Sequence, residues 1–520
     1  MWLHREIRTL PDIPSYWAKQ TPNKVAIRAD RVAITYAQLE ADVASLAAAL
    51  APKTANVGFI GTNVPEFWTI WFAAGRAGRA LVPFNWRSPV PELAEVVADA
   101  APSIIFAERC FEGVIGEAVE QLSFDAEVVP FESVTSESGG LSTWLAGKLG
   151  PAPDHKPTGE DIALIAYTSG TTGHPKGAMV RQEAFDLAFL SDDLEPTIVW
   201  DDQDVAMMAM PNFHLAGSWV PLPALYHGGT VAMLPTFEPY AYLDAVETYR
   251  PTVACLVPTA IQSLLDCPNA TRTDFSSLRT LIYAGSPMPV TTIDRAISVI
   301  GCELRQFYGT TESYIVTILR PDDHTSKQSD IKSSCGKPIP LVQVRLVDPE
   351  GQDVEDGQIG HLIVRSPMLM AGYHGKAHES SEVIRDGWYW TGDLGYMSPS
   401  GHYFLVDRAK DLIVTGGENV YSVEVERALE RHPSVAVAAV VGIPDARWVE
   451  AVTAFVIPKS GAVEAASFAA ELRDHCRQFI ASYKVPKSFH FVDYLPMTPS
   501  GKIRKQELRK LAAETLAETR

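Results

Sequence analysis

The chain has 520 residues and a formal net charge of −19, from 44 Lys and Arg against 63 Asp and Glu. That length is too great for a single hydrophobic core, so we expect two or more domains. The acidic balance argues against a nucleic-acid partner, because binding to a phosphate backbone needs a basic surface. Any anionic ligand would have to be held by local positive groups.

Signals for targeting and for redox chemistry are few. The amino end lacks the apolar core of a signal peptide, and no apolar run approaches the roughly 18 residues of a membrane span. The six cysteines are scattered without C-x-x-C spacing, which disfavours a zinc site or a redox pair. We therefore expect a cytoplasmic protein with reduced thiols and no transmembrane segment. The sequence does not determine the oligomeric state, and a homodimer is one option.

The first half of the chain alternates between strand-like and helix-like segments. Thr35 is predicted as the N-cap of a helix that runs to Leu50. The predicted strands are Val57–Ile60, Ala80–Pro83, Ile104–Ala107, Pro251–Val257 and Leu281–Ala284, and further helices are predicted at Pro65–Ala77 and Pro91–Ala100. Such alternation predicts parallel sheets covered by helices.

The most informative stretch is residues 165–177, Ile-Ala-Tyr-Thr-Ser-Gly-Thr-Thr-Gly-His-Pro-Lys-Gly. An apolar run ends there in a loop of glycines and hydroxyls with one lysine, Lys176. Glycines let backbone N–H groups point at an anion, hydroxyls add donors, and the lysine adds positive charge. The spacing differs from the G-x-x-x-x-G-K-[ST] loop of ATPases, since Pro175 stands where the second glycine would fall. The loop predicts a polyphosphate site; a flexible surface turn is the alternative for this composition alone.

The second half of the chain has a different pattern of predicted elements. Short predicted strands between Gly, Asp and Pro turns, Val344–Val347 and His361–Val364, indicate a small β-barrel or sheet. A small α+β unit is then predicted from the strands Val435–Val441, Ala451–Ile457 and Phe489–Val492 and from a helix over Glu464–Phe479. We place the boundary at Lys410, which gives domains of residues 1–409 and 410–520.

The string Y-T-S-G-T-T-G-x-P-K-G over residues 167–177 resembles the phosphate loop of the adenylate-forming superfamily. That superfamily includes acyl-CoA synthetases, 4-coumarate–CoA ligases, luciferase and the adenylation domains of peptide synthetases. Five further motifs follow in the family's order: Y-A-G-S-P-M-P, Q-F-Y-G-T-T-E, W-T-G-D, D-R-A-K-D and P-S-G-K. The resemblance therefore covers nearly the whole chain.

This resemblance implies an α/β fold with a large N-terminal domain and a small hinged α+β C-terminal domain. The large domain would hold two helix-covered, mainly parallel sheets and a small β-barrel. The implied enzyme is an acid–thiol ligase that uses ATP, Mg²⁺ and CoA. It would join a carboxylic acid to AMP with release of pyrophosphate, and then transfer the acyl group to CoA.

The resemblance also implies where the nucleotide binds. Tyr308 would stack on the adenine opposite the turn at Gly285, and Thr311 would bond the α-phosphate. Glu312 would hold Mg²⁺, a hard cation suited to carboxylate and phosphate oxygens. The implied nucleotide-binding residues are Thr168, Ser169, Gly170, Thr171, Thr172, Lys176, Gly285, Ser286, Pro287, Tyr308, Gly309, Asp393 and Arg408. Asp393 would accept hydrogen bonds from two ribose hydroxyls, with Arg408 at the ribose or phosphate.

The remaining implied residues belong to the second half-reaction and to the hinge. Lys410 occupies the position about which the small domain rotates in relatives. Lys502 would reach the carboxylate and α-phosphate, where a positive charge offsets the approach of two anions. Gly416 and Gly417 would line the pantetheine tunnel. Ser422 departs from the proline usual in relatives, and we expect only a local change.

The acid is the least determined part of the prediction. His214 would gate the acyl pocket and act with Lys502, Thr311 and Glu312 in catalysis, and Ala216, Val220 and Phe307 would line the pocket. Since no Asp follows Phe213, an α-amino acid is disfavoured. We favour a fatty or other extended aliphatic acid, including a steroid side chain, over an aryl acid such as a cinnamate. A luciferase-like oxygenase and a non-catalytic nucleotide-binding relative stay as rivals.

Overall fold

The computed structural model describes residues 4–518 apart from residues 5, 54, 136–139, 149, 169–174, 327, 329, 416–417, 446–447, 460–464 and 498–502. The chain forms two compact units. The first unit comprises Met1–Val344 and Val364–Tyr389, and the second comprises Arg345–Ile363 and Trp390–Arg520. The predicted boundary at Lys410 concerns rotation about a hinge and stays a prediction.

The first unit contains a nine-stranded sheet that is parallel through its centre. Its strands, in spatial order, are Lys337–Pro338, Tyr314–Leu319, Glu303–Thr310, Thr280–Ala284, Val253–Leu256, Val205–Met208, Thr230–Met233, Val25–Ala29 and Val32–Thr35. Antiparallel pairing occurs only towards the two edges. Parallel strands place their carboxyl ends at one edge of a sheet, where ligands bind in open α/β folds.

A seven-stranded sheet completes the strands of this unit. In spatial order it holds Gly372–Tyr373, Lys176–Arg181, Ile162–Thr168, Leu81–Pro83, Val57–Ile60, Ile104–Glu108 and Glu127–Phe131. Lys176–Arg181 is antiparallel to both of its neighbours, and the other described pairs are parallel. The interior strands Val57–Ile60 and Leu81–Pro83 are fully buried, as expected for a sheet with helices on its faces.

Helices cover these sheets. They are Asp12–Gln20, Tyr36–Leu50, Glu66–Arg76, Val90–Ala100, Glu112–Val119, Ser142–Leu145, Gln182–Leu194, Leu215–Ser218, Leu222–Tyr226, Pro239–Tyr249, Pro258–Asp266, Val290–Ile300, Pro321–His324 and Ala377–Val383. The predicted cap at Thr35 is confirmed: its hydroxyl accepts from the Gln38 N–H at 3.3 Å, and the Gln38 side chain accepts from the Thr35 N–H at 2.8 Å. Trp68 and Trp71 are fully buried in the core.

The residues predicted as a small β-barrel or sheet form a five-stranded sheet. Its strands are Gln343–Val347, Gly360–Arg365, Trp388–Met397, Ile384–Arg385 and Tyr403–Arg408. The division between the two units falls within this part of the chain.

The rest of the second unit is the predicted α+β unit. Its mainly antiparallel sheet contains Glu418–Val420, Ile413–Thr415, Val449–Pro458, Val435–Asp445 and Ser488–Phe491, with helices Ser422–Glu430, Ala465–Cys476 and Lys505–Glu518. The two longest strands, Val435–Asp445 and Val449–Pro458, are longer than predicted, because their pairing continues through Pro444 to Asp445. The unit has its own apolar core, which includes Val425, Leu429 and Leu472.

Two further findings bear on the sequence predictions. All six cysteines are free thiols, and only Cys110 is exposed. In the part of the chain that the structure describes, every helix is too short or too polar to cross a bilayer.

Candidate active site

The predicted adenine-binding residues lie at the carboxyl ends of two neighbouring parallel strands. Thr280–Ala284 pairs with Glu303–Thr310 so that Ala284 lies opposite Phe307. Gly285 and Tyr308 are therefore next to each other at the sheet edge. Gly285 has φ +90°, and an added Cβ would meet nothing closer than 3.8 Å, so the glycine is required by its backbone conformation rather than by crowding.

Glu312 lies in the turn that joins Glu303–Thr310 to Tyr314–Leu319. The turn is tied by hydrogen bonds between Thr310 and Ser313, including their two hydroxyls at 3.0 Å. A Cβ at Gly309 would lie 1.9 Å from the backbone oxygen of Tyr314, so only glycine fits this close approach. Glu312 is 8% exposed, a rare degree of burial for a glutamate.

The predicted phosphate loop is the connection of an antiparallel hairpin. Thr168 pairs with Lys176 at its base, and Ser169, Gly170, Thr171 and Thr172 lie outside the described residues. The base is anchored through Tyr167, whose hydroxyl donates to Asp99 at 2.6 Å. Asp99 also forms an ion pair with Lys376. Burial, with Asp99 as a second cause, raises the pKa of Tyr167, so its hydroxyl stays a donor.

Tyr373 links Glu312, which lies in a turn between two strands of the nine-stranded sheet, to Lys176, which belongs to the seven-stranded sheet. Its hydroxyl donates to the Glu312 carboxylate at 2.9 Å. The ammonium of Lys176 lies 5.3 Å from the centre of the Tyr373 ring, a cation–π distance. Burial, followed by the charge of Glu312, raises the pKa of Tyr373 and keeps the phenol protonated. The short strand Gly372–Tyr373 pairs with Ala178 and Met179, which fixes this position.

Sequence reasoning missed Tyr373. The available signal was the sequence Gly372-Tyr-His-Gly, two glycines around an aromatic residue late in the large domain. Nothing local indicates that this tyrosine pairs with the strand after the phosphate loop, since that pairing joins residues far apart in the chain.

Glu312 is suited to bind Mg²⁺ together with the phosphates of a nucleotide. In the described residues no group of three or more His, Cys, Asp and Glu side chains could hold a metal. One Glu312 oxygen accepts from Tyr373, which leaves the other oxygen for a ligand. Mg²⁺ commonly binds one or two carboxylates together with substrate phosphates. The residues present therefore fit the predicted ion.

In the second unit, two predicted nucleotide-binding residues lie side by side. Asp393 and Arg408 are cross-strand partners, and Nε of Arg408 is 2.7 Å from the Asp393 carboxylate. Asp393 is 5% exposed, whereas the side chain of Arg408 is 42% exposed. The Thr391 hydroxyl accepts from the Asp393 N–H at 3.0 Å and holds this end of the strand. The carboxylate of Asp393 and the guanidinium of Arg408 therefore lie next to each other.

Lys410 lies in the turn Ala409–Asp411 and is exposed, although neighbouring atoms partly surround its ammonium. Burial is the first cause that lowers the pKa of Lys410, and the neighbouring Arg408 and Arg509 add to it. Asp411 pairs with Arg509 at 2.8 Å. Lys502, Gly416 and Gly417 lie outside the described residues. Their predicted roles stay predictions.

The departure at Ser422 has a structural consequence. Both the N–H and the hydroxyl of Ser422 donate to the buried carboxylate of Asp407, the hydroxyl at 2.7 Å. Lys505 donates in turn to the Ser422 hydroxyl and pairs with Glu426 at 2.8 Å. The first residue of the D-R-A-K-D motif is thereby tied to the C-terminal helix, Lys505–Glu518.

The predicted acyl-pocket residues are only partly brought together. Val220 and Phe307 line one cavity, the Phe307 cavity, which holds about 390 Å³ of empty space, part of it open to solvent. His214 precedes the short helix Leu215–Ser218, with its ring 4.5 Å from that of Phe213. Ala216 packs against the apolar core beside the nine-stranded sheet. His214 and Ala216 are not among the residues that line the Phe307 cavity.

Two family models match the chain. The AMP-binding enzyme family matches residues 15–374, and the AMP-binding enzyme C-terminal domain matches residues 424–502. A feruloyl-CoA synthase from Amycolatopsis is 37% identical, over 95% of this chain and 97% of its own. The fatty acid–[acyl-carrier-protein] ligase ScoC from Streptomyces coeruleorubidus is 33% identical, over 97% of both chains.

A solved structure agrees with the sequence comparisons. The amide bond synthetase McbA from Marinactinospora thermotolerans has a TM-score of 0.85 at 30% identity, with 97% of this chain and 99% of McbA covered. The predicted fold class is confirmed, and so is the predicted enzyme class at the level of acid–thiol ligase relatives. The chain belongs to the AMP-binding enzyme family, within the adenylate-forming superfamily.

Proposed function

We propose that this protein is an ATP-dependent acyl-CoA synthetase. In the first step a carboxylate oxygen attacks the α-phosphorus of ATP, and the bond to the β-phosphate oxygen breaks, which releases pyrophosphate. In the second step the sulfur of CoA attacks the acyl carbon of the adenylate. The bond to the AMP oxygen breaks, AMP leaves, and the thiol proton is lost.

The contact of one side chain, Tyr373, with both Glu312 and Lys176 carries this proposal. It places a buried carboxylate and an ammonium around the same ring, at an edge where parallel strands end. An ATP triphosphate with its cation needs groups of both charges at one place. Mg²⁺ held by Glu312 would neutralise phosphate charge, while Lys176 would bind phosphate oxygens directly.

The chain's own residues would act by positioning. Tyr308 would stack on adenine, and Gly285 to Pro287 would form the opposite wall. Thr311 would donate to the α-phosphate, and Asp393 and Arg408 would bind the ribose. Because two anions must meet in line, pre-placed donors reduce the barrier most effectively when they match the charge of the transition state. Lys502 is proposed to supply that charge for adenylation and His214 to gate the acid.

For the acid, we keep a fatty or other extended aliphatic acid, including a steroid side chain, as the proposal. Phe307 lines the Phe307 cavity and lies on the strand next to the adenine wall. An aryl acid is the second candidate, supported by the feruloyl-CoA synthase relative. CoA is the proposed acceptor; Gly416 and Gly417 are proposed to line its tunnel, with Lys410 as the hinge between half-reactions. Cytoplasmic location and a homodimer are kept as predictions.

The proposed reaction is tested by a pyrophosphate-release screen over fatty, aryl and steroid acids, with and without CoA. We expect acid-dependent pyrophosphate release, and AMP release without light when CoA is added. Lys176→Ala should lower both. Lys148→Ala is the matched control, because Lys148 pairs on the surface with Glu127 and should leave the rates unchanged.

Each rival makes a different prediction in the same screen. Light emission and oxygen consumption without CoA would identify a luciferase-like oxygenase. Nucleotide binding without pyrophosphate release from any acid would identify a non-catalytic relative. Either result would overturn the proposed reaction.

A further inference from the structure

The Phe307 cavity combines an apolar wall with an unusual number of buried polar groups. Its apolar side chains are Ile198, Val199, Val220, Pro223, Val253, Ile282, Phe307 and Ile315. Its polar members are Asp192, Trp200, Thr280, Arg305 and Tyr314. All of them belong to the first unit. A pocket for a plain hydrocarbon chain gains nothing from polar atoms that lack a partner, because burying such an atom costs free energy.

Asp192 is the most unusual of these groups. It is the last buried residue of the helix Gln182–Leu194, and it is 7% exposed. No hydrogen bond joins its carboxyl to any described residue. Burial first, and then Asp193 and Glu195, raise the pKa of Asp192 to about 8. At neutral pH the carboxyl is therefore protonated and can donate. Asp192 also contributes to the raised pKa of Tyr314, so the two groups lie within electrostatic reach.

Two nitrogen donors add to this set. Arg305 is 5% exposed, and its Nη atoms bind Glu303, Thr280 and the backbone of Thr197. Its Nε–H has no partner among the described residues. The indole N–H of Trp200 is likewise buried without a partner in the described structure. These are donors that lack acceptors.

The order of residues on the strand shows which end of the cavity is nearer to the predicted nucleotide site. Phe307 and Arg305 lie two positions apart on Glu303–Thr310, so their side chains share one face. Arg305 is farther from the carboxyl end of the strand by roughly 7 Å. The predicted adenine wall at Tyr308 lies at the other end. Arg305 is thus deeper in the cavity than Phe307, measured from the nucleotide.

Deepening the proposed function, on which this inference rests, we propose that the acid carries a hydroxyl or keto oxygen on its carbon skeleton. That oxygen is bound in the Phe307 cavity by Asp192, Arg305 and Trp200. An oxygen acceptor satisfies the unpartnered N–H groups and accepts from the protonated carboxyl. A second carboxylate on the acid is disfavoured, because the charge of Arg305 is already paired with Glu303 and a buried carboxylate would lack a cation of its own.

The test uses pairs of acids that differ only in the oxygen. Suitable pairs are 4-hydroxycinnamate with cinnamate, 3-(4-hydroxyphenyl)propanoate with 3-phenylpropanoate, and 10-hydroxydecanoate or 9-oxodecanoate with decanoate. The measurement is kcat/KM for CoA-dependent AMP release by the full-length enzyme. We expect the oxygenated member to exceed its partner about tenfold or more on at least one skeleton, since a site built for a hydroxyl rejects the analogue that lacks it.

The site itself is tested by Asp192→Leu and Trp200→Phe. Each should reduce the oxygenated-to-plain ratio of kcat/KM, mainly by loss of activity on the oxygenated acid. Asp192→Asn should retain most of the ratio because the amide still donates. Asp186→Asn is the matched control: this carboxyl lies on the same helix but outside the cavity, near Arg8, and the ratio should not change.

The outcomes separate the two proposals. Turnover of both members of every pair within twofold, or a preference for the plain acids, overturns the oxygen assignment and leaves the synthetase reaction standing. A 4-amino analogue preferred over the hydroxyl analogue overturns it in favour of an amine ligand for Asp192. An unchanged ratio in both Asp192→Leu and Trp200→Phe overturns the assignment of the cavity. Absence of pyrophosphate release with every acid refutes the proposed reaction, and this inference with it.

Discussion

At the scale of single residues, Tyr373 is the side chain that brings the charged groups of the site together. Its hydroxyl removes one acceptor position from Glu312, so the carboxylate presents a defined oxygen to a ligand. Its ring faces the ammonium of Lys176. Positioning of this kind fixes geometry without direct participation in bond making.

Tyr373→Phe should therefore lower adenylation while the protein stays folded, because the ring and its contact with Lys176 are retained. Hydrogen bonds to charged groups contribute about 1.5–3 kcal/mol, so we expect a loss of roughly 10- to 100-fold in kcat/KM. Pyrophosphate release at several Mg²⁺ concentrations measures it, and the Mg²⁺ requirement should rise. Tyr240→Phe is the control on an exposed tyrosine. An unchanged Mg²⁺ requirement would contradict the positioning role.

The raised pKa of Asp192 should make the stability of the protein depend on pH. Its pKa is raised from 3.8 to about 8, so between these values the folded chain keeps a proton that the unfolded chain releases. Stability should then fall as pH rises, by as much as about 1.4 kcal/mol per pH unit, and level off above about pH 8. In Asp192→Asn this loss should be absent, so the variant gains over the wild type from pH 5 to 8.

Urea unfolding at pH 5, 6.5 and 8 checks this expectation. Asp186→Asn serves as the comparison, because burial raises the pKa of Asp186 only to about 6. The stability that Asp186→Asn gains over the wild type should reach its full value by pH 6.5. Parallel pH profiles for the two variants would show that Asp192 is ionised in the folded protein.

At the scale of elements, much of the fold followed from local patterns. Val57–Ile60 was predicted with its observed bounds, and the cap at Thr35 was recognised from residue type. The strand predicted over Pro251–Val257 is shorter, Val253–Leu256, because Pro251 has no N–H for the ladder and lies outside it. Motif resemblance, rather than periodicity, indicated Glu312 and Asp393. Contacts between distant strands, such as that of Tyr373, have no local signal.

The helix start at Ser422 offers a test of one such connection. Ser422→Pro restores the residue usual in relatives, and proline is tolerated there because Tyr421 is extended and the position begins a helix. Proline nevertheless removes both donors to the buried Asp407 carboxylate. We expect a loss of about 1–3 kcal/mol in the free energy of unfolding. Ser422→Ala keeps the N–H, so its free energy of unfolding should fall by less. Equal stability of the wild type and the proline variant would show that the hydrogen bonds from Ser422 to Asp407 do not stabilise the fold.

At the scale of the whole molecule, the predicted catalytic groups belong to both compact units. Glu312, Lys176 and the Phe307 cavity lie in the first, whereas Asp393, Arg408 and the C-terminal helix lie in the second. The family models divide the chain in a similar way, with matches at residues 15–374 and 424–502. Two chemically different half-reactions, one with two anions and one with a thiol, are a reason to carry groups on separate units.

Lys502→Ala separates the two half-reactions. The P-S-G-K motif predicts that Lys502 offsets the charge of the carboxylate and α-phosphate during adenylation, a need that thioester formation does not share. We expect pyrophosphate release to fall about 100- to 1,000-fold, the loss found when a charge-stabilising group is removed, while CoA still converts a supplied acyl-adenylate to thioester and AMP. Stopped-flow assays of each step on the same preparation measure both rates. Lys510→Ala on the C-terminal helix is the control. An equal loss in both steps would mean that Lys502 supports the fold of the second unit rather than one reaction.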